Sequence, residues 1–246
     1  MEVHHHPHVE KKNFKEYLLE FLMIFLAVTM GFFAESLREH ISDNANEKEY
    51  IRAMIEDAKT DTANFHRAIE LNKIRVINLD SLANCCFDYN ATHANDSEIY
   101  RLYRLAIVHP DFVSPTERTL SQLKNSGGMR LIIQKAAVDS IVMYDDMSKK
   151  LADQQAYYER YQNESVESSF ALINFQYYNL GNTHAGANVY SSAKLLNHDP
   201  LQLMEFGNRI NVYKGVVSFY NYRLNEMNEH AVNLITSLKK EYQITD

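Results

Sequence analysis

Glycine and proline are scarce, at seven and four residues in a chain of 246. Turn signals are therefore few, and long helices are expected between them. The only two cysteines, Cys85 and Cys86, are adjacent. Neighbouring cysteines make neither a CxxC zinc pattern nor a disulfide framework. They read as two small, partly buried residues at a helix end, or else as a redox or intermolecular thiol pair. Positive charge is not in excess: the formal net charge is -7, and no basic stripe runs along the sequence. Nucleic acid is accordingly not an expected partner. GxSxG, P-loop, HExxH and Rossmann glycine patterns are all missing, and Gly127-Gly128 reads as a helix stop rather than a phosphate loop. These absences favour a non-enzyme.

What the sequence does have is a long apolar run, Tyr17-Leu-Leu-Glu-Phe-Leu-Met-Ile-Phe-Leu-Ala-Val-Thr-Met-Gly-Phe-Phe-Ala34. As a helix it measures ~27 Å, near the short end of the range that spans a bilayer's hydrocarbon core. No signal-peptidase site follows it, because Glu35, Arg38 and Glu39 come next. The chain therefore divides into a His-rich tail at 1–16, a transmembrane helix at 17–34 and a soluble domain at 35–246. Lys11, Lys12 and Lys15 precede the span, whereas Arg38 follows it among Glu35, Glu39 and Asp43. The positive-inside rule then puts the N-terminus in the cytoplasm and the C-terminal domain outside it.

One line of this helix differs from the rest. Glu16, Glu20, Ile24, Ala27, Gly31, Ala34 and Arg38 fall within about 40° of one line at helical spacing. Ala27 and Gly31 form a small-xxx-small pair that lets helix backbones approach. Glu20 shares the line, and intramembrane carboxylates usually face protein or water rather than lipid. Glu20, Ala27, Gly31 and Ala34 are the candidate interface; the alternative is that Glu20 reaches the headgroups and the small residues are incidental.

Beyond a polar break at Ser42-Asp-Asn-Ala-Asn46, a seven-residue repeat begins. Ile51, Ala58, Phe65, Asn72, Leu79 and Cys86 make one set; Ile55, Thr62, Ile69, Val76 and Ala83 make the other. This predicts a helix with a narrow seam, packed within its own domain or in an intermolecular coiled coil that Asn72 would hold in register. A loop at 88–96 and a short helix from Asp96 or Ser97 to Val108 follow. Ser114-Pro-Thr-Glu117 is a helix-start signature, and Ser126-Gly127-Gly128 stops that helix. A long helix is expected over about 129–179, with a kink near Asn163–Ser165, and a loop over 180–198. The last helix opens at Asp199-Pro200 and carries Leu203, Ile210, Val217, Leu224, Ala231 and Leu238 at sevenfold spacing. The fold class is all-α: one N-terminal transmembrane helix followed by an elongated helical bundle of four-helix type.

Two further groups could carry chemistry. His4, His5, His6 and His8 are clustered imidazoles able to chelate zinc, copper or nickel, or they are simply a His-rich tail. Tyrosine is abundant at 16 residues, clustering at Tyr157, Tyr158 and Tyr161, at Tyr177 and Tyr178, and at Tyr213, Tyr220 and Tyr222. These line a ligand groove or fill the core with their hydroxyls outward. The other histidines and Asp145-Asp146 show no metal or acid–base spacing.

His4-His-His-Pro-His8, Lys11-Lys-Asn-Phe14, Glu20-Phe-Leu-Met-Ile-Phe-Leu-Ala-Val-Thr29 and Gly31-Phe-Phe-Ala-Glu35 resemble the N-terminus of an uncharacterised single-pass membrane-protein family common in Bacteroidota. Thr119-Leu-Ser-Gln-Leu-Lys-Asn-Ser-Gly127 with Arg130-Leu-Ile132 is similar to a second signature of that family. The resemblance implies a bacterial source, an inner-membrane location and a native His-rich tail. It implies no activity and no catalytic residue. The leading expectation is an envelope protein that meets lipid and forms a homo-oligomer or joins another membrane protein. A periplasmic sensory module signalling through a partner is the alternative, as are an ion-conducting oligomer using Glu20 and a metal-binding protein using the His tail.

Overall fold

The computed structural model describes residues 13–89, 96–108, 110, 112–178, 190 and 192–245. All its regular elements are helices: α1 Phe14–Phe87, α2 Asp96–Ile107, α3 Arg118–Asn125, a 3-10 turn at Gly128–Leu131, α4 Lys135–Ser169, α5 Phe175–Tyr178 and α6 Pro200–Tyr242. The protein is all-α. It divides into two compact units, one ending at Glu49 and one starting at Tyr50. The sequence places the domain's start at 35; the compact packing begins at Tyr50.

In the first unit, α1 carries the apolar run. This is the one helix among the described residues long and apolar enough to cross a membrane, and its apolar window is wholly unburied within the chain. The expected break at Ser42–Asn46 does not occur, because α1 continues through it. Ser, Asp and Asn cost only about half a kcal/mol each relative to Ala in a helix interior, and no Gly or Pro stands there to end it.

In the second unit, α1, α4 and α6 are joined by a fourth layer made of two short pieces, α2 and α3. Side-chain hydrogen bonds set the directions. Tyr144 and Tyr158 of α4 reach Asp61 and Asn72 of α1, so these two helices run the same way. Lys214 of α6 meets Asp80, and Ser237 meets the Ala136 carbonyl, so α6 runs against both. Arg75 reaches Ala106 while Asp57 reaches Thr119, so the α2–α3 layer also descends. The result is an up-down-up-down bundle.

Periodicity explains the packing. The six α6 residues at sevenfold spacing are all buried, and so is a second set, Phe206, Tyr213, Tyr220, Met227 and Leu234. Together they alternate by three and four along the helix, a core-facing stripe. On α1 the seam is filled within the chain, with Asn72 wholly buried and bonded by Tyr158. The stripe is wider than a narrow seam: Met54, Asp61, Ala68, Arg75 and Leu82 form a further buried set. The extra width lies under α2 and α3.

Two helices differ from expectation in their bounds. The helix signalled at Ser114 starts at Arg118, and its cap position, Glu117, makes no side-chain cap bond. The donors at this helix start are taken by α1 instead: Asp61 accepts from Thr116, and Asp57 accepts from Thr119. The helix expected over 129–179 runs over 135–169. Gly127 adopts φ +71°, the 3-10 turn follows, and Ile132 is extended with its side chain buried. At the far end, Ser168 and Ser169 hydrogen-bond carbonyls three residues back, and the chain leaves the helix to bury Leu172 and Ile173. No break occurs at Asn163–Ser165. Asp199 caps α6 as expected, accepting from the Leu201 amide at 3.1 Å.

Gly127 is the one described glycine with positive φ. Gly127→Ala is expected to lower unfolding stability by about 1–2 kcal/mol, since a Cβ there meets the following carbonyl. Urea unfolding followed by circular dichroism measures this.

Candidate functional site

The first candidate lies on α1. Ala27, Gly31 and Ala34 are exposed on the helix, and Glu20 is half-buried among its neighbours. A Cβ added at Gly31 would meet nothing within 4 Å. The small-residue line is thus open along its length within the chain. Its flanks carry exposed Phe21, Leu22, Phe25, Leu26 and Phe32. Phe21 and Phe25 stack at 6.1 Å, and the Thr29 hydroxyl returns to the Phe25 carbonyl at 2.7 Å. That last bond satisfies the Thr29 hydroxyl within its own helix. His4, His5, His6 and His8 lie outside the described residues. Among the described residues no group of three His, Cys, Asp or Glu side chains could hold a metal ion.

The second candidate is the set of buried polar groups in the bundle, which sequence reasoning missed. Asp57 and Asp61 are 3% and 1% exposed. One Asp57 oxygen pairs with Arg118 at 2.5 Å; the other accepts from the Thr119 amide at 3.1 Å and from its hydroxyl at 2.5 Å. Asp61 accepts from the Thr116 amide at 2.9 Å and its hydroxyl at 2.7 Å, and from the Tyr144 hydroxyl. Burial, and then the bond to Asp61, push the Tyr144 hydroxyl's pKa far above its ordinary value, so it stays a donor. One turn apart on an otherwise apolar face, these acids were the available signal: a buried carboxylate needs donors, and a loop supplies them.

A third carboxylate closes the other end. Asp96 is 1% exposed at the start of α2. It accepts from Tyr89 at 2.6 Å, from the Leu195 amide at 3.1 Å, and meets His198 Nε2 at 3.1 and 3.3 Å. Burial pushes the Asp96 carboxyl up, but the bonds from Tyr89, His198 and Leu195 together outweigh it and hold it below the usual range. Tyr89 and His198 also stack at 5.5 Å. Arg75 and Gln162 bond the Ala106 and Ile107 carbonyls at 3.0 and 2.7 Å, capping the C-terminal end of α2.

Each carboxylate is surrounded by donors from its own chain, so its oxygens serve to hold segments together. The tyrosines divide: Tyr158, Tyr213 and Tyr220 are buried core, Tyr157 and Tyr222 are exposed, and Tyr161, Tyr177 and Tyr178 are half-buried. Burial pushes the Tyr220 hydroxyl up to about 12. Cys85 and Cys86 end α1, and burial pushes the Cys86 thiol up to about 12, which removes thiolate reactivity. An open groove of about 390 Å³ runs between the end of α4 and the start of α6, lined in part by Glu164, Glu167, Ser168, Glu205 and Arg209.

No family model, curated protein or solved structure matches the chain.

Two outcomes are expected. Asp61→Ala leaves the Thr116 amide and the Tyr144 hydroxyl without their acceptor, and should cost about 2–4 kcal/mol by denaturant unfolding. The lowered Asp96 pKa stabilises the fold above the unfolded value of about 3.9, and this contribution is lost as pH falls through the folded value. Asp145, also lowered, behaves in the same direction. Asp96→Asn should therefore flatten part of the acid limb in a stability–pH titration.

Proposed function

We propose that this protein is a single-pass membrane-anchored helical bundle that works by association, as a homo-oligomer or as a scaffold subunit of a membrane complex. The observation that carries the reading is the apolar segment of α1, left wholly unburied by its own chain while the bundle encloses an apolar core. A soluble protein rarely leaves so large a contiguous apolar surface in water. The line of Glu20, Ala27, Gly31 and Ala34 is the part of the segment suited to a second helix, because its small residues admit a backbone.

The charges flanking the segment support an N-terminus in the cytoplasm and a bundle in the periplasm of a bacterial inner membrane. The satisfied buried carboxylates support a holding role over a catalytic one.

In membranes from cells expressing the full chain, the protein should resist alkaline carbonate extraction. Native mass spectrometry in detergent should show an oligomer or a co-purifying partner, and Gly31→Leu should shift that population toward monomer. A lone monomer with no partner would overturn the association reading, and release by carbonate would overturn the anchor.

A further inference from the structure

The last helix has two apolar faces. One is the buried stripe already described. The other lies on the far side of α6. Leu201, Met204, Val212, Phe219 and Tyr222 fall within about 40° of one line at helical spacing. Asn208 and Gly215 share that line, and no charged residue stands on it between Leu201 and Tyr222. Leu201, Asn208, Gly215 and Tyr222 are seven apart, as are Val212 and Phe219, so the line recurs every three or four residues. A helix that is apolar on two opposite sides needs a neighbour on each. The whole face belongs to the compact unit that starts at Tyr50.

The five apolar side chains are between 46% and 71% exposed. Half-exposed side chains of this size offer roughly 100 Å² each. Two such faces together then remove roughly 1,000 Å² from water, the lower bound for a specific interface. Tyr161 of α4 shares a groove with Asn208 and Val212 and widens the face. Two of the rings are ordered by their own chain. Phe219 and Tyr222 stack at 5.9 Å, Arg223 lies over both, and Glu226 binds Arg223 and the Tyr222 hydroxyl. Side chains held in place beforehand lose little freedom on association. A Cβ on Gly215 would meet nothing within 4 Å. Ala would therefore fit there and favour the helix, so nothing within the chain calls for glycine. Close approach of a second backbone does.

We propose that this outer face of α6 is where two copies of the chain meet, their α6 helices side by side and parallel. The proposal rests on the association reading above and gives the bundle its own contact. Among the described residues of the bundle, no other helix repeats large exposed apolar side chains over two heptads, so the face that matches this one in spacing is its own. In a parallel pair each residue of the line meets its counterpart. Asn208 then faces Asn208 of the partner subunit, and a polar residue at one seam position fixes register and direction.

The test uses the full chain in detergent with Cys85→Ser and Cys86→Ala. Leu201→Cys and Tyr222→Cys, each made singly, should give a disulfide-linked dimer on mild oxidation, whereas Glu70→Cys on the exposed surface of α1 should not. Val212→Glu with Phe219→Glu should raise the dimer dissociation constant at least about tenfold, with helicity by circular dichroism unchanged. No more linkage at positions 201 and 222 than at 70 overturns the proposal. So does linkage only between Leu201→Cys and Tyr222→Cys chains when mixed, which is an antiparallel contact. Release of a different co-purifying protein by the double glutamate variant also overturns it, since the face would then belong to that protein. An oligomer that survives this variant but is dissolved by Gly31→Leu defeats the α6 contact and leaves the association reading standing. A lone monomer of the unsubstituted chain defeats both.

Discussion

The bundle depends on two buried carboxylates, Asp57 and Asp61, on one face of α1. Its fourth layer is not a continuous helix. It is α2, an irregular connector and α3, and the connector cannot satisfy its own backbone as a helix does. Asp57 and Asp61 supply acceptors for the amides and hydroxyls of Thr119 and Thr116. The connector is thereby fixed to α1, and Phe112 packs against Tyr158 and Tyr220 between α4 and α6. Without those acceptors the layer would have buried donors and no register. The carboxylates in turn need the connector, since an ionised group in this position is tolerable only when surrounded by donors.

Asp96 does the corresponding work at the other end. It ties the end of α1, the start of α2 and the stretch before α6 through Tyr89, Leu195 and His198. Between these two knots the packing is apolar and aromatic apart from buried Asn72 and Arg75, and is governed by sevenfold spacing on α1 and α6. The polar groups set alignment; the apolar stripes provide the bulk of the burial.

Much of this was legible in the sequence. Leu203 through Leu238 repeat every seven residues on one helix face, so their burial follows from geometry alone. Asp199-Pro200 marked a helix start whose capping is local, and it formed where expected. The start at Ser114 did not, because its capping is not local: the acceptors come from Asp57 and Asp61, more than fifty residues earlier. A local rule has no access to a partner that only folding brings near. The same limit hid the role of Asp96, whose partners Leu195 and His198 lie about a hundred residues later. The continuity of α1 through Ser42–Asn46 was missed for the opposite reason, since weak local preferences looked decisive and were not. The α1 line of Glu20, Ala27, Gly31 and Ala34 was readable because a single helix sets its geometry.

The two knots differ in when the growing chain can complete them. Asp57 and Asp61 find their partners once Tyr144 exists, so the lower half of α1 acquires its connector while α6 is still unmade. Asp96 waits for Leu195 and His198, about a hundred residues later in synthesis. Until then Asp96 has the Tyr89 hydroxyl alone among these donors. The three aspartates thus differ in how far along the chain their last partners lie.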